Sequence, residues 1–227
     1  MKVSVIIPFL DEERALPATL ACLERAIGAF ADTEVIAVDG GSRDTSRAMI
    51  AARPNMQVLD APSGRAVQMN AGAAAAHGDV LLFLHADTLV PEQAFRAIAR
   101  VAAAPGFVYG GFHHRFSGDD WRLRAISGLH NLRCRITATF YGDQAMFVRR
   151  TEFAGIGGFP LRLAEDIAIS EILRAKAAPA FLPLAVVTSS RKFEQMGVWT
   201  SFARVLAILL CLRLGRKPPA AFFTDIR

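Results

Sequence analysis

A histidine and, two residues on, an aspartate close a run of five apolar residues: His85 and Asp87 after Val80 to Leu84. Both side chains are competent metal ligands. The run is too short for a typical helix and too uniform for a half-exposed strand. It predicts a strand covered on both faces at the centre of an α/β sheet. Ligands of open α/β sheets sit outside the carboxyl ends of the strands, which is where these two residues fall. A second reading has Asp87 and Thr88 capping a helix that begins near Pro91. Two earlier apolar runs end in similar clusters. Asp11, Glu12 and Glu13 follow Val3 to Leu10, and Asp39-Gly40-Gly41-Ser42 follows Glu34 to Val38. Gly40 and Gly41 allow a tight turn and close backbone approach to a ligand. In a parallel sheet three such ends line one edge and converge on one ligand.

The elements between these clusters have the required order. Leu16, Leu20, Leu23 and Ile27 recur at helical spacing, with Pro17 in the first turn. Helices are expected from Asp44 to Ala52, from Arg65 to Ala76 and from Pro91 to about Ala103, and a third short strand over Met56 to Leu59. The first 90 or so residues thus alternate strand and helix as βαβ units with a parallel sheet. The rhythm then changes. Phe107 to Phe116 is strand-like, Trp121 to Ile136 is a basic helix or helical pair, and Ala145 to Val148 is a short strand. Gly155 to Pro160 is a glycine-rich turn, and Glu165-Asp166 lead a helix ending near Lys176. Ala180 to Val187 is a strand, and Gln195 to Leu214 is a helical tail. One domain over 1–227 is expected: a front half at 1–104, an irregular half at 105–194 and a tail at 195–227.

Composition sets outer bounds. The chain has 227 residues, 52% of them hydrophobic, a formal charge of +5 and a pI near 9.6. The charge favours anionic partners. The scarcity of aromatic–basic motifs argues against nucleic acid. Cys22, Cys134 and Cys211 are widely spaced and form no CxxC pair, which predicts neither a disulfide framework nor a zinc site, and a reducing cytoplasm. The first apolar run is too short for a secretory leader, and no apolar stretch is long enough for a membrane span. There is no GxGxxG after the first strand and no GxxxxGK[ST].

Four motifs in order, VSVIIPFLDEE, EVIAVDGGSRDTS, SGRAVQMNAGAAAAHGDVLLFLHADT and GGF-PLRLAEDIAIS, resemble the signature of family 2 glycosyltransferases. The resemblance covers about residues 3 to 190. YGDQAMFVRR is similar to a small bacterial subgroup found beside radical-SAM and selenium-related genes. The resemblance implies a GT-A fold, with a nucleotide-binding α/β half followed by an acceptor-binding half. It implies that Pro8, Asp11, Glu12, Glu13, Asp39 and Gly41 hold the nucleoside of a UDP-sugar. Arg65, Asn70 and Glu165 belong to the same donor-binding set, with Arg65 near the diphosphate or the base. Asp87 matches the last position of the DxD motif that binds Mn²⁺ or Mg²⁺, with His85 in the first carboxylate's place. Asp166 matches the catalytic base. The chemistry agrees: the departing nucleoside diphosphate gains charge that a cation and an arginine stabilise, and the acceptor hydroxyl loses a proton. In-line attack implies inversion.

Two departures stand out. HAD replaces DxD, and His85 adds no negative charge. DGGS replaces DDGS, so Gly40 removes one nucleotide contact. The Q/R-x-x-R-W motif of processive members is absent in that form, which points to single-sugar transfer. Rival readings are a nucleotidyltransferase, which would want a glycine-rich basic loop where Phe9 to Arg14 has none, and a non-catalytic nucleotide binder or scaffold. Asp166 read alone is a helix N-terminal charge. His113 and His114 are structural strand residues or a third metal ligand, and Asp143 and Gln144 a turn or a sugar contact. Arg122, Arg124, Arg133 and Arg135 form a solvated basic face or hold an acceptor phosphate. The tail, with Trp199, Phe202, Val205, Leu206, Leu209, Leu210 and Leu212 beside Arg204, Arg213, Arg216 and Lys217, packs on the core or a second copy. Its alternative is the inner membrane face, with a lipid-phosphate acceptor.

Overall fold

Val3–Phe9 (β1) is buried at every position because neighbours flank it on both sides. Thr33–Asp39 (β2) and Val80–Phe83 (β4) pair with it in parallel, and Met56–Asp60 (β3) pairs in parallel with β2. The computed structural model describes residues 1–30, 32–161, 164–214, 216 and 219. Arg162 and Leu163 of the fourth motif, and Lys217 of the tail, lie outside the described residues.

Alternate residues of the parallel strands enter two different cores, as the strand period of two requires. Val5, Ile7, Val35, Ala37 and Leu82 point toward Leu16–Gly28 (α1) and Ala94–Ala102 (α4), and pack with Leu20, Leu23, Phe95 and Ile98. Ile6, Ile36, Val38, Leu81 and Phe83 point the other way. There they meet Arg65–Ala75 (α3) and Glu165–Arg174 (α7), with Met69, Ile169 and Leu173. Each fully buried side chain of this kind contributes about 1.5–3 kcal/mol. The α3 helix lies so close to the sheet that a Cβ on Gly72 would stand 2.6 Å from a methyl of Ile6. Ser46–Ala51 (α2) follows the β2 turn, two residues later than Asp44.

Beyond β4 the sheet turns mixed. Phe147–Arg149 (β7) runs antiparallel to β4, Tyr109–Phe116 (β6) antiparallel to β7, and Ala180–Thr188 (β8) parallel to β6. A two-residue strand, Thr88–Leu89 (β5), pairs antiparallel with β8. The order is β3-β2-β1-β4-β7-β6-β8-β5, a curled eight-stranded sheet in which β5 follows β4 in sequence but closes the far edge. This pairing displaces the capping reading of Asp87 and Thr88: Thr88 is a strand residue, and Gln93 holds the N-cap position of α4 without a side-chain cap bond.

The basic segment is one helix, Trp121–Thr137 (α5), capped where Asp120 accepts from the Arg122 backbone N–H over 2.8 Å. Arg150–Gly155 (α6) follows β7 directly. The tail is two helices, Arg191–Met196 (α8) and Val198–Arg213 (α9), because Gly197 adopts φ +86° between them. Among the described residues no helix is long and apolar enough to cross a membrane.

Candidate active site

The carboxyl ends of β1 and β4, with the N-terminus of α3, enclose a cavity of about 510 Å³. Pro8, Phe9, Leu10 and Glu12 come from the first strand end, and His85, Ala86 and Asp87 from the central one. Ser63, Gly64 and Arg65 form the start of α3, where first-turn backbone N–H groups and the helix dipole favour an anion. Gln68, one turn into α3, donates from Nε2 to the carbonyls of Phe9 (2.9 Å) and Val38 (2.8 Å), holding two strand ends together. Its amide stands 3.1 Å from where a Cβ on Gly40 would be, which accounts for the glycine in DGGS.

Several expected donor residues make internal contacts. Asp39 is buried, and its Oδ1 accepts from the backbone N–H groups of Gly41 (3.1 Å) and Ser42 (2.8 Å) and from the Ser42 hydroxyl (2.7 Å). Its Oδ2 lies 3.9 Å from Arg47. Asp11, in the left-handed region at φ +53°, accepts from the Arg43 N–H over 2.7 Å. Glu13 accepts from the Thr45 hydroxyl over 3.0 Å. These groups stitch the β1 loop to the β2 loop, and of the acidic trio Glu12 lines the cavity. Asn70 lines neither this cavity nor the next. Its amide clamps the Phe159 backbone, donating to the carbonyl (2.9 Å) and accepting from the N–H (2.8 Å).

A second cavity of about 620 Å³ shares Arg65, His85 and Asp87 with the first. Its remaining wall comes from the back half. Phe116, Ile126, Leu129, Phe193, Phe202, Val205, Leu206 and Leu209 make it largely apolar, and His130, Arg133, Tyr141, Asp143 and Asp166 supply polar groups. Asp166 sits in the first turn of α7. Its Oδ2 accepts from the Gly142 backbone N–H (2.8 Å) and its Oδ1 from that of Ile167 (2.8 Å). Burial pushes its pKa above the usual aspartate value, against the pull of these N–H groups and of Arg65. Burial likewise raises Glu165, whose Oε1 lies 3.7 Å from Arg65 Nη1. His85 leans on the turn at Gly142–Gln144: a Cβ on Gly142 would be 2.4 Å from its ring. Asp87 is anchored through its carbonyl, which accepts from the Ser189 N–H over 3.2 Å.

The glycosyl transferase family 2 model matches residues 4–162, spanning every strand end just described. The chain belongs to glycosyltransferase family 2. Curated relatives include undecaprenyl-phosphate 4-deoxy-4-formamido-L-arabinose transferases. That of Proteus mirabilis is 29% identical over 210 residues, 87% of this chain and 59% of that protein. That of Sodalis glossinidius is 27% identical over 211 residues, 88% of this chain and 60% of that protein. The chain thus spans about three-fifths of the length of these relatives. Among solved structures, the mannosyltransferase PcManGT of Pyrobaculum calidifontis, in complex with GDP-Man and Mn²⁺, superposes with a TM-score of 0.69 at 18% identity. That match covers 99% of this chain and 67% of the other. S. aureus TarS 1–349 with UDP-GlcNAc gives 0.67 at 17%, over 83% and 58%. These likenesses show the GT-A fold.

Within this family 2 chain, sequence reasoning singled out neither Gln68 nor His130. Gln68 looked like an ordinary helix residue, and its signal was the spacing from Arg65 on one face of α3. His130 sits mid-helix with no motif around it. Of the four arginines on α5, Arg133 alone lines the cavity. It stacks on Tyr141 at 3.5 Å and donates to the Thr139 carbonyl over 3.0 Å. Arg122 pairs with Asp120 at 2.7 Å, and Arg135 meets His113 at 3.1 Å.

Proposed function

We propose that this protein moves a single sugar from a nucleoside-diphosphate donor, a UDP-sugar, to the hydroxyl of an acceptor with an apolar body, inverting the anomeric carbon. The observation that carries the reading is the meeting of two cavities at Arg65, His85 and Asp87, with Asp166 on the wall of the second alone. A donor seated in the first cavity presents its anomeric carbon at that junction. Pro8 and Glu12 line the nucleoside end, with Asp39 and Gly41 shaping the turn behind it. Arg65, steadied by Glu165, and the α3 N-terminus face the diphosphate. Asp166 takes the proton of the attacking hydroxyl from the far side, a role worth about 10²–10⁴-fold.

The donor set at the junction fits a divalent cation: one carboxylate and one imidazole open to both cavities, leaving the remaining positions to phosphate and water. Asp87 and His85 would hold Mn²⁺ or Mg²⁺, which supplies Lewis-acid stabilisation of the departing diphosphate.

A second reading makes the acceptor a lipid phosphate, which the names of the relatives and the apolar lining favour. The cavity opens beside an apolar surface of α5 and α9, where Trp121 (64% exposed), Ile136 (75%), Trp199 (52%) and Leu210 (59%) face outward. Such a face suits the inner membrane surface and a peripheral enzyme. Calorimetry with UDP, GDP and CDP, with and without Mn²⁺, tests the donor half. UDP binding that Mn²⁺ strengthens and Asp87→Ala weakens is expected. Absence of binding by all three nucleotides would sink the proposal. Product formation with a polyprenyl phosphate against a long-chain alcohol then assigns the acceptor group.

A further inference from the structure

Across the turn that His85 leans on, three side chains from three elements converge. His114 lies on β6, His130 on α5 and Asp143 in the turn at Gly142–Gln144. His114 Nε2 is 3.6 Å from Asp143 Oδ2, and His130 Nε2 is 3.3 Å from Asp143 Oδ1. One ligand atom from each residue falls within a common span of 4.8 Å. The His114 side chain is 1% exposed, yet neither of its ring nitrogens makes a hydrogen bond. His130 Nε2 and Asp143 Oδ1 are buried in the same condition. Buried polar atoms of this kind are ordinarily satisfied, and a cluster of orphaned ones with metal-ligand chemistry points to a bound ion.

The ligand types and their spacing indicate which ion. In a tetrahedral site with bonds of about 2.0–2.2 Å, neighbouring ligand atoms stand about 3.3–3.6 Å apart. Each imidazole lies at such a distance from a different Asp143 oxygen, and one atom from each residue falls within 4.8 Å, so small side-chain shifts complete the site. Two imidazoles and one carboxylate suit Zn²⁺ and its borderline neighbours rather than Mg²⁺, which prefers oxygen. The backbone is also prepared. Asn131 clamps His114, accepting from its N–H (2.8 Å) and donating to its carbonyl (2.9 Å), which sets the rings of His114 and His130 with centroids 4.9 Å apart.

We propose that His114, His130 and Asp143 form a second divalent-metal site, of the Zn²⁺ class, tying the turn that carries Gly142 to β6 and α5. Three protein ligands leave a fourth position open toward the apolar cavity that His130 and Asp143 line. The ion fixes the Gly142 N–H that holds Asp166, so this metal is a positioning element and is separate from any cation at Asp87.

Chelator-treated full-length protein, without nucleotide, titrated with Co²⁺ and then with Zn²⁺, tests the site independently of sugar transfer. The expected result is the visible absorption of tetrahedral Co²⁺ at a single equivalent, bleached by Zn²⁺ and retained in Asp87→Ala. Removing an outer-shell partner alone weakens metal sites about 10–100-fold, so His130→Gln and Asp143→Asn should each raise the Kd by more than roughly 100-fold. Circular dichroism at wild-type level shows that a loss is not unfolding. Should one variant fail to fold, the other and the Zn²⁺-dependent rise in wild-type Tm still decide. Absence of the Co²⁺ spectrum and of the Tm rise in the wild type overturns the proposal. So does a spectrum that vanishes in Asp87→Ala yet survives both His130→Gln and Asp143→Asn.

Discussion

The backbone N–H of Gly142 donates to the carboxylate of Asp166 over 2.8 Å, across 24 residues of sequence. Asp166 begins α7, whereas Gly142 belongs to the turn that His85 leans on. The carboxylate is thereby oriented from one side by the turn and from the other by its own helix. Its free lone pairs are left toward the apolar cavity.

Substituting Asp166→Asn keeps the hydrogen bond from Gly142, because the amide oxygen still accepts, gives up the one from Ile167, and removes the proton acceptor. With an alcohol acceptor, turnover should fall about 10²–10⁴-fold while calorimetric donor affinity is unchanged. With a phosphate acceptor, whose oxygen is already ionised near neutral pH, the same variant should retain far more of its rate. An unchanged rate with the alcohol acceptor refutes the role of Asp166 as base.

The raised pKa of Asp166 gives two signs. As a base it works ionised, so kcat/KM should fall with decreasing pH at a higher pH than an ordinary aspartate, 3.8, would produce. As a folded-state group with a raised pKa, it holds its proton more tightly folded than unfolded. Its ionised form therefore opposes folding at neutral pH, and this penalty fades as pH falls through the raised value. Asp166→Asn should raise Tm at pH 7 and lose that advantage in acid, which thermal melts across pH will show. Stability exchanged for function is common at active sites.

Gly142→Ala places a Cβ 2.4 Å from the His85 ring. Either the ring or the turn must move, at about 1–3 kcal/mol for overpacking of this kind. Both Asp87 binding geometry and the Asp166 hydrogen bond should suffer, so Tm and kcat are expected to drop together. A variant with wild-type values of both would show that the turn is free to yield.

Leu209 and Phe202 line the second cavity and are absent from the first. Leu209→Glu should raise acceptor KM at least tenfold, about 1.4 kcal/mol, while leaving the donor Kd unaltered. Trp199→Ser, on the outer face, should reduce sedimentation with anionic vesicles without altering turnover on a short water-soluble acceptor. Equal losses in donor and acceptor binding would contradict the division of labour between cavities.

The parallel front half was legible because its strands are short, mostly apolar runs ended by polar residues, and α1 carries Leu16, Leu20 and Leu23 at helical spacing. The motifs singled out Asp87 and Asp166, which line one cavity. The back half was not. Thr88–Leu89 is too short to leave a periodic signal, and its partner lies at residues 187–188. Gly197 was inconspicuous in an otherwise helical tail. Counting acidic residues at strand ends could not tell which would face a ligand. Asp11 and Glu13 satisfy backbone N–H groups of the neighbouring β2 loop and Asp39 those of its own turn, a use set by turn geometry rather than by residue type. The meeting of His114, His130 and Asp143 depends on where β6, α5 and a short turn cross, and no spacing encodes that.

The closing pair of the sheet, Thr88 against Thr188, joins residues 100 apart, with their hydroxyls 3.3 Å from each other. Contacts this remote form late, since the chain between them must first be ordered. During synthesis the residues after Asp87 emerge long before the strand that receives them. The second cavity, which sets Thr188 and Ser189 beside Asp87, therefore takes shape only once both strands are in place, whereas the first is walled by residues 8–87.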